Sequence, residues 1–70
     1  MFVNKWEKEE RAFRKQDVRR TTYSVGIVEG EKLFQIQTYG VDGDGAKQTI
    51  QFDRKRAIEL IDTLKKELNL

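Results

Sequence analysis

The sequence contains no cysteine and no histidine among its 70 residues. A disulfide framework is therefore excluded, and so are the usual zinc, iron–sulfur and haem sites. The same absences remove the commonest general base and the best thiol nucleophile, leaving only Lys, Tyr, carboxylate and hydroxyl chemistry. No catalysis is expected, and no catalytic residue, metal site, cofactor or small-molecule substrate is assigned. No apolar run approaches the ~20 residues that a membrane span needs, so no membrane partner is expected. Residues Met1 to Lys8 have neither the apolar stretch nor the cleavage pattern of a signal peptide, and a cytoplasmic home is expected, nucleoid-associated if the chain binds DNA.

What remains is a short, highly charged chain of 8.3 kDa, with 37% of its residues apolar and 37% charged. Residues 1–70 allow one domain, and a lone core of this length is marginal. Oligomerisation is the staple still open to it, so a homodimer is expected. The net charge is only +2, but it is unevenly spread. Residues 1–28 hold seven basic groups against four acidic, 29–53 two against five, and 54–70 five against three. The ends are basic and the middle is acidic.

From Thr22 the hydrophobic period is two. Tyr23, Val25 and Ile27 alternate with Thr22, Ser24 and Gly26, and beyond Glu29-Gly30 a second run places Phe34 and Ile36 against Gln35, Gln37 and Tyr39. A two-residue turn at Glu29-Gly30, with Gly supplying positive φ, sets the register: Ile27 faces Lys32, Val25 faces Phe34 and Tyr23 faces Ile36. The other face pairs Ser24 with Gln35, Thr22 with Gln37 and Arg20 with Tyr39, and carries no carboxylate. A third strand, Ala46 to Phe52, turns Ile50 and Phe52 inward and Lys47, Thr49 and Gln51 outward. Asp53 is a good N-cap, and Ala57, Leu60, Ile61, Leu64 and Leu68 recur at helical spacing. The spacing predicts a C-terminal helix covering the apolar face, with Ile58, Leu64, Leu68 and Leu70 left for a dimer contact. The fold expected is α+β: three or four antiparallel strands over 20–52 and one amphipathic helix over 53–70, with 1–19 an arm or first strand.

The outward face is the sharpest functional feature: Arg20, Thr22, Ser24, Gln35, Gln37, Tyr39, Lys47, Thr49 and Gln51. Single-stranded nucleic acid asks for this mixture, because bases stack on an aromatic ring, amides and hydroxyls meet base edges or phosphate, and cations track the backbone. The plainer alternative is the ordinary solvent face of an antiparallel sheet. Arg54, Lys55 and Arg56 occupy the first helical turn, where the dipole favours acids, so Arg54 and Arg56 join the candidates as phosphate ligands. Compensation by Asp53 and by a Lys55 to Glu59 pair is the alternative there. The basic residues Arg11, Arg14, Lys15, Arg19 and Arg20 offer a nucleic-acid-binding arm, but they are interleaved with acids until Asp17, which favours a solvated, salt-bridged segment. Gly40 to Gly45 lacks the Lys-Ser/Thr of a P-loop and the ligand spacing of an EF-hand, and reads as a flexible loop.

The run from Tyr23 to Leu68 resembles a known family. A strand, a turn at Gly30, the strand KLFQIQTYGVDGDG, a glycine-containing loop, the strand AKQTIQF and the helix DRKRAIELIDTLKKEL follow one another as in the positive cofactor four transcriptional coactivators and their bacterial and phage relatives. The resemblance implies a small homodimeric binder of single-stranded nucleic acid. Tyr39 corresponds to an aromatic at the end of the strand flanking the family's loop, and Lys47 to basic residues leading into the last strand. Where the family often has Arg or Lys, this chain has Gln37. The expectation is thus single-stranded DNA or RNA binding through an acid-free sheet face, without strong sequence preference. Its rival is a protein-interaction module or inhibitor using the same face.

Overall fold

The computed structural model describes residues 1–40 and 48–70. They form an α+β fold: strands β1 (Arg20–Val28), β2 (Glu31–Tyr39) and β3 (Gln48–Phe52) make an antiparallel sheet in the order β1-β2-β3, and helix α1 (Arg54–Leu68) follows. The β1-β2 connection is the two-residue turn expected, with φ of 52° at Glu29 and 80° at Gly30. Positive φ at both central positions matches the right-handed twist of the flanking strands. It locks the register, pairing Tyr23 with Ile36, Val25 with Phe34 and Ile27 with Lys32. Strand β3 continues the alternation, with Phe52 beside Phe34 and Ile50 beside Ile36. The expected start of this strand at Ala46, and Lys47 with it, lie outside the described residues, as does the loop Val41 to Gly45.

The core is small. Phe34 stacks on Tyr23 at 5.4 Å with an interplanar angle of 8°, and lies 5.4 Å from Phe52. Phe52, 5% exposed, is the one buried hydrophobic residue among those described. Helix α1 leaves β3 after a single residue, Asp53, whose Oδ1 accepts the Arg56 backbone N–H at 2.9 Å. This cap satisfies one of the first-turn donors. The helix ends on Asn69 in the left-handed conformation, with Lys65 and Lys66 in its last turn, where cations suit the dipole.

Contrary to expectation, the helix covers only part of the apolar face. Helix α1 contacts β2 and β3 but not β1, because its one-residue tether holds its start beside Phe52. Tyr23, Val25 and Ile27 are left exposed, the first at 73% and the last at 72%. Ile61, Leu64 and Leu68 on the helix stripe are exposed as well.

The N-terminal residues divide. Met1 to Val3 run parallel to β3 along its outer edge, the Gln51 N–H donating to the Met1 carbonyl and the Val3 N–H to the Gln51 carbonyl, both at 2.8 Å. Residues 4–18 have no regular structure, and a bend at Arg19 leads into β1 at Arg20. Trp6 nonetheless is anchored: its ring meets Phe52 edge-on at 6.0 Å, and its Nε1–H donates to the Arg56 carbonyl at 3.0 Å. The Arg56 guanidinium reaches back to the Asn4 carbonyl. Further along, Lys8 Nζ lies 2.9 Å from a Glu67 carboxylate oxygen. No described strand pairs with the outer edge of β1. No described helix is long and apolar enough to cross a membrane.

Candidate nucleic-acid interface

Alternation along three strands collects the predicted side chains on the sheet face opposite Phe34 and Phe52. In the register observed, Arg20 pairs with Tyr39, Thr22 with Gln37 and Ser24 with Gln35, while Gln37 pairs with Thr49 and Gln35 with Gln51. These eight therefore form three successive rows of one face. The Arg20 guanidinium carbon lies 5.3 Å from the centre of the Tyr39 ring, a cation–π distance. The Gln51 side-chain amide donates to the Gln35 side-chain carbonyl at 2.7 Å. That bond holds the two amides across the strands and leaves the Gln35 NH2 and the Gln51 carbonyl oxygen outside it. Gln35, Gln37, Tyr39, Thr49 and Gln51 are half-buried, and Arg20 and Ser24 are exposed.

The face is not free of acid along its whole length. The same register pairs Val28 with Glu31 on this side, two rows beyond Ser24 and Gln35, with Gly26 and Leu33 between. The alternation from Gln35 back to the turn carries that consequence. Glu31 stands four residues from Gln35 along β2, about 13 Å away. Within the three rows from Arg20 to Gln51, the described side chains are neutral or basic.

The two helix-start candidates do not join this face. Arg54 borders a hollow on the apolar side with Val25, Lys32, Phe34 and Phe52. Arg56 is a tie between segments: its side chain is 16% exposed, it donates to Asn4, and its Nε lies 3.1 Å from Glu59 in an ion pair whose angle makes no hydrogen bond. Of the three cations of the first turn, Arg56 is compensated within the fold by Glu59. Lys47 lies outside the described residues.

One residue on the polar face was not anticipated from the sequence. The parallel bridge sets Phe2 beside Gln51, so its side chain projects on the same side as Gln51 and Gln35. The only sequence signal is the two-residue run Phe2-Val3, too short to read as a strand. The groups whose titration is displaced lie elsewhere: hydrogen bonding and charge from Glu67 raise the pKa of Lys8, and the same contact lowers that of Glu67. No cluster of three or more carboxylates able to hold a metal occurs among the described residues. No family model matches the chain, and no curated protein or solved structure does either.

Proposed function

We propose that the protein binds single-stranded nucleic acid, DNA in the first instance, on the face formed by Arg20, Thr22, Ser24, Gln35, Gln37, Tyr39, Thr49 and Gln51, without strong sequence preference and without catalysis. The observation that carries this reading is the composition of three adjacent rows. An aromatic ring and a guanidinium sit at one end, and hydroxyls and amides fill the rest, with no carboxylate among the described side chains there. A ring offers stacking to any base, and amides bond to base edges or sugar–phosphate without demanding one sequence. The resemblance to the positive cofactor four coactivators points the same way.

The same reading makes the protein a homodimer. Tyr23, Val25 and Ile27 on the apolar sheet face, and Ile61, Leu64 and Leu68 on the helix stripe, are all exposed in a 70-residue chain, and exposed apolar surface on this scale marks a contact. Protein contact is thereby assigned to the apolar face and nucleic acid to the polar one.

The test is titration of labelled oligo-dT and of its duplex counterpart at low and moderate salt. Single-strand binding well above duplex binding is expected, falling with salt as counterions are released. Equal affinity for the two, or no binding at low salt, overturns the proposal. Tyr39→Ala should weaken single-strand binding by about 1–3 kcal/mol and leave the melting curve nearly unchanged.

A further inference from the structure

We propose that Phe2 is a second base-stacking residue of this interface and that the N-terminal segment is its fourth strand, an inference that rests on the single-strand reading above. Among the seven aromatic residues, Trp6, Tyr23, Phe34 and Phe52 are engaged with one another on the apolar side. Phe13 is exposed on the irregular segment. Only Tyr39 and Phe2 stand on the polar face. Phe2 is 44% exposed, and its backbone is fixed on both sides by the bonds that Gln51 makes to Met1 and Val3. It continues the row Ser24, Gln35, Gln51 by one more strand.

The two rings stand apart, Tyr39 at the end of the central strand β2 and Phe2 beyond the edge of β3. Four residues along the strand direction and two strand spacings across it separate them, about 16 Å on the diagonal. Gln37, Thr49, Gln35 and Gln51 fill the ground between. A single strand laid along this diagonal presents unpaired π-faces to both rings and its edges and backbone to the amides and hydroxyls. A duplex keeps its bases stacked on one another and offers neither ring a free face. Two separated platforms therefore select unpaired nucleic acid more sharply than one.

The segment is held for this role. Trp6, four residues on, is anchored against Phe52 and the Arg56 carbonyl, and the Arg56 guanidinium holds Asn4. Arg56 thus ties the segment that carries Phe2 to the start of the helix.

The experiment compares Phe2→Ala, Phe2→Leu, Phe2→Tyr and Tyr39→Ala in the full chain, with oligo-dT as the probe and Trp6 emission as the report on the segment. Phe2→Ala and Phe2→Leu should each lower single-strand affinity by between about fivefold and a hundredfold, Phe2→Tyr should retain it, and Trp6 emission should not move in Phe2→Leu. If Tyr39→Ala weakens binding and Phe2→Leu does not, the inference about Phe2 falls and the polar-face reading stands. If neither weakens binding, both fall. If Phe2→Leu shifts Trp6 emission to that of an exposed indole, the ring holds the segment in place and the assignment to stacking is overturned.

Discussion

Phe34→Ala puts the division between the two faces to the test. The ring stacks on Tyr23 and touches Phe52, and its neighbours across the sheet are Val25 and Phe52. Removing a fully buried phenylalanine costs about 3–5 kcal/mol. Phe34 is only half-buried, because the helix does not reach over β1. The loss should therefore be about 2 kcal/mol, part of it the two ring contacts at about 0.5–1.5 kcal/mol each. A chain of this size has about 4–10 kcal/mol in total, so the variant still folds. At about 4–8 °C per kcal/mol, its melting temperature should fall by about 8–16 °C. The assay is thermal melting by circular dichroism, followed by oligo-dT titration well below the new midpoint. Affinity of the folded variant should be unchanged, because the ring lies on the side away from Tyr39 and Gln51. A variant that melts like the parent but no longer binds oligo-dT would refute the face assignment outright.

Three further outcomes follow from the same geometry. Glu29→Asn should raise stability by about 0.5–1 kcal/mol, since Asn tolerates the positive φ that Glu29 now adopts and suits the first position of this turn; denaturant melts check it. Glu67 should titrate below its ordinary value in a carboxylate-detected NMR titration, because Lys8 favours its charged form. Its folded pKa being lowered, the stability it contributes is present above the unfolded value and is lost as pH falls through the folded one, and Glu67→Gln should abolish that acid dependence. Leu64→Glu, in the exposed helix stripe, should turn a sedimenting dimer into a monomer, and a parent chain that is monomeric at high concentration would count against the dimer.

The hairpin was readable from sequence because its information is local. Two turn residues and strict alternation fix every pair from Arg20–Tyr39 to Val28–Glu31, and the structure reproduces them. The same rule put Glu31 on the polar face, but this emerges only when the alternation is counted to the turn instead of stopping at Ser24. What lay beyond reach is what depends on distance in the chain. Phe2 meets Gln51, and Trp6 meets Arg56, each across about fifty residues. Three apolar residues at one end of a chain carry no periodicity with which to announce such a contact. The contacts of Arg56 were hidden for a related reason: a cation in the first helical turn gives no sign in the sequence that Asn4 and Glu59 stand beside it. The helix stripe was legible, but how far it reaches is set by the single residue joining it to β3.

The sheet has two unlike borders. Along β3 the segment Met1 to Val3 occupies the hydrogen-bonding groups of Gln51, while nine residues of β1 present a border that no described strand occupies, with no proline and with charge only at Arg20. Such a border is a template for joining another strand. A second copy joined there, antiparallel and related by a twofold axis, extends the sheet across the pair and brings the two exposed apolar faces to the same side. The N-terminal segment covers the far border at Gln51 alone, so the longer uncovered border among the described strands is that of β1.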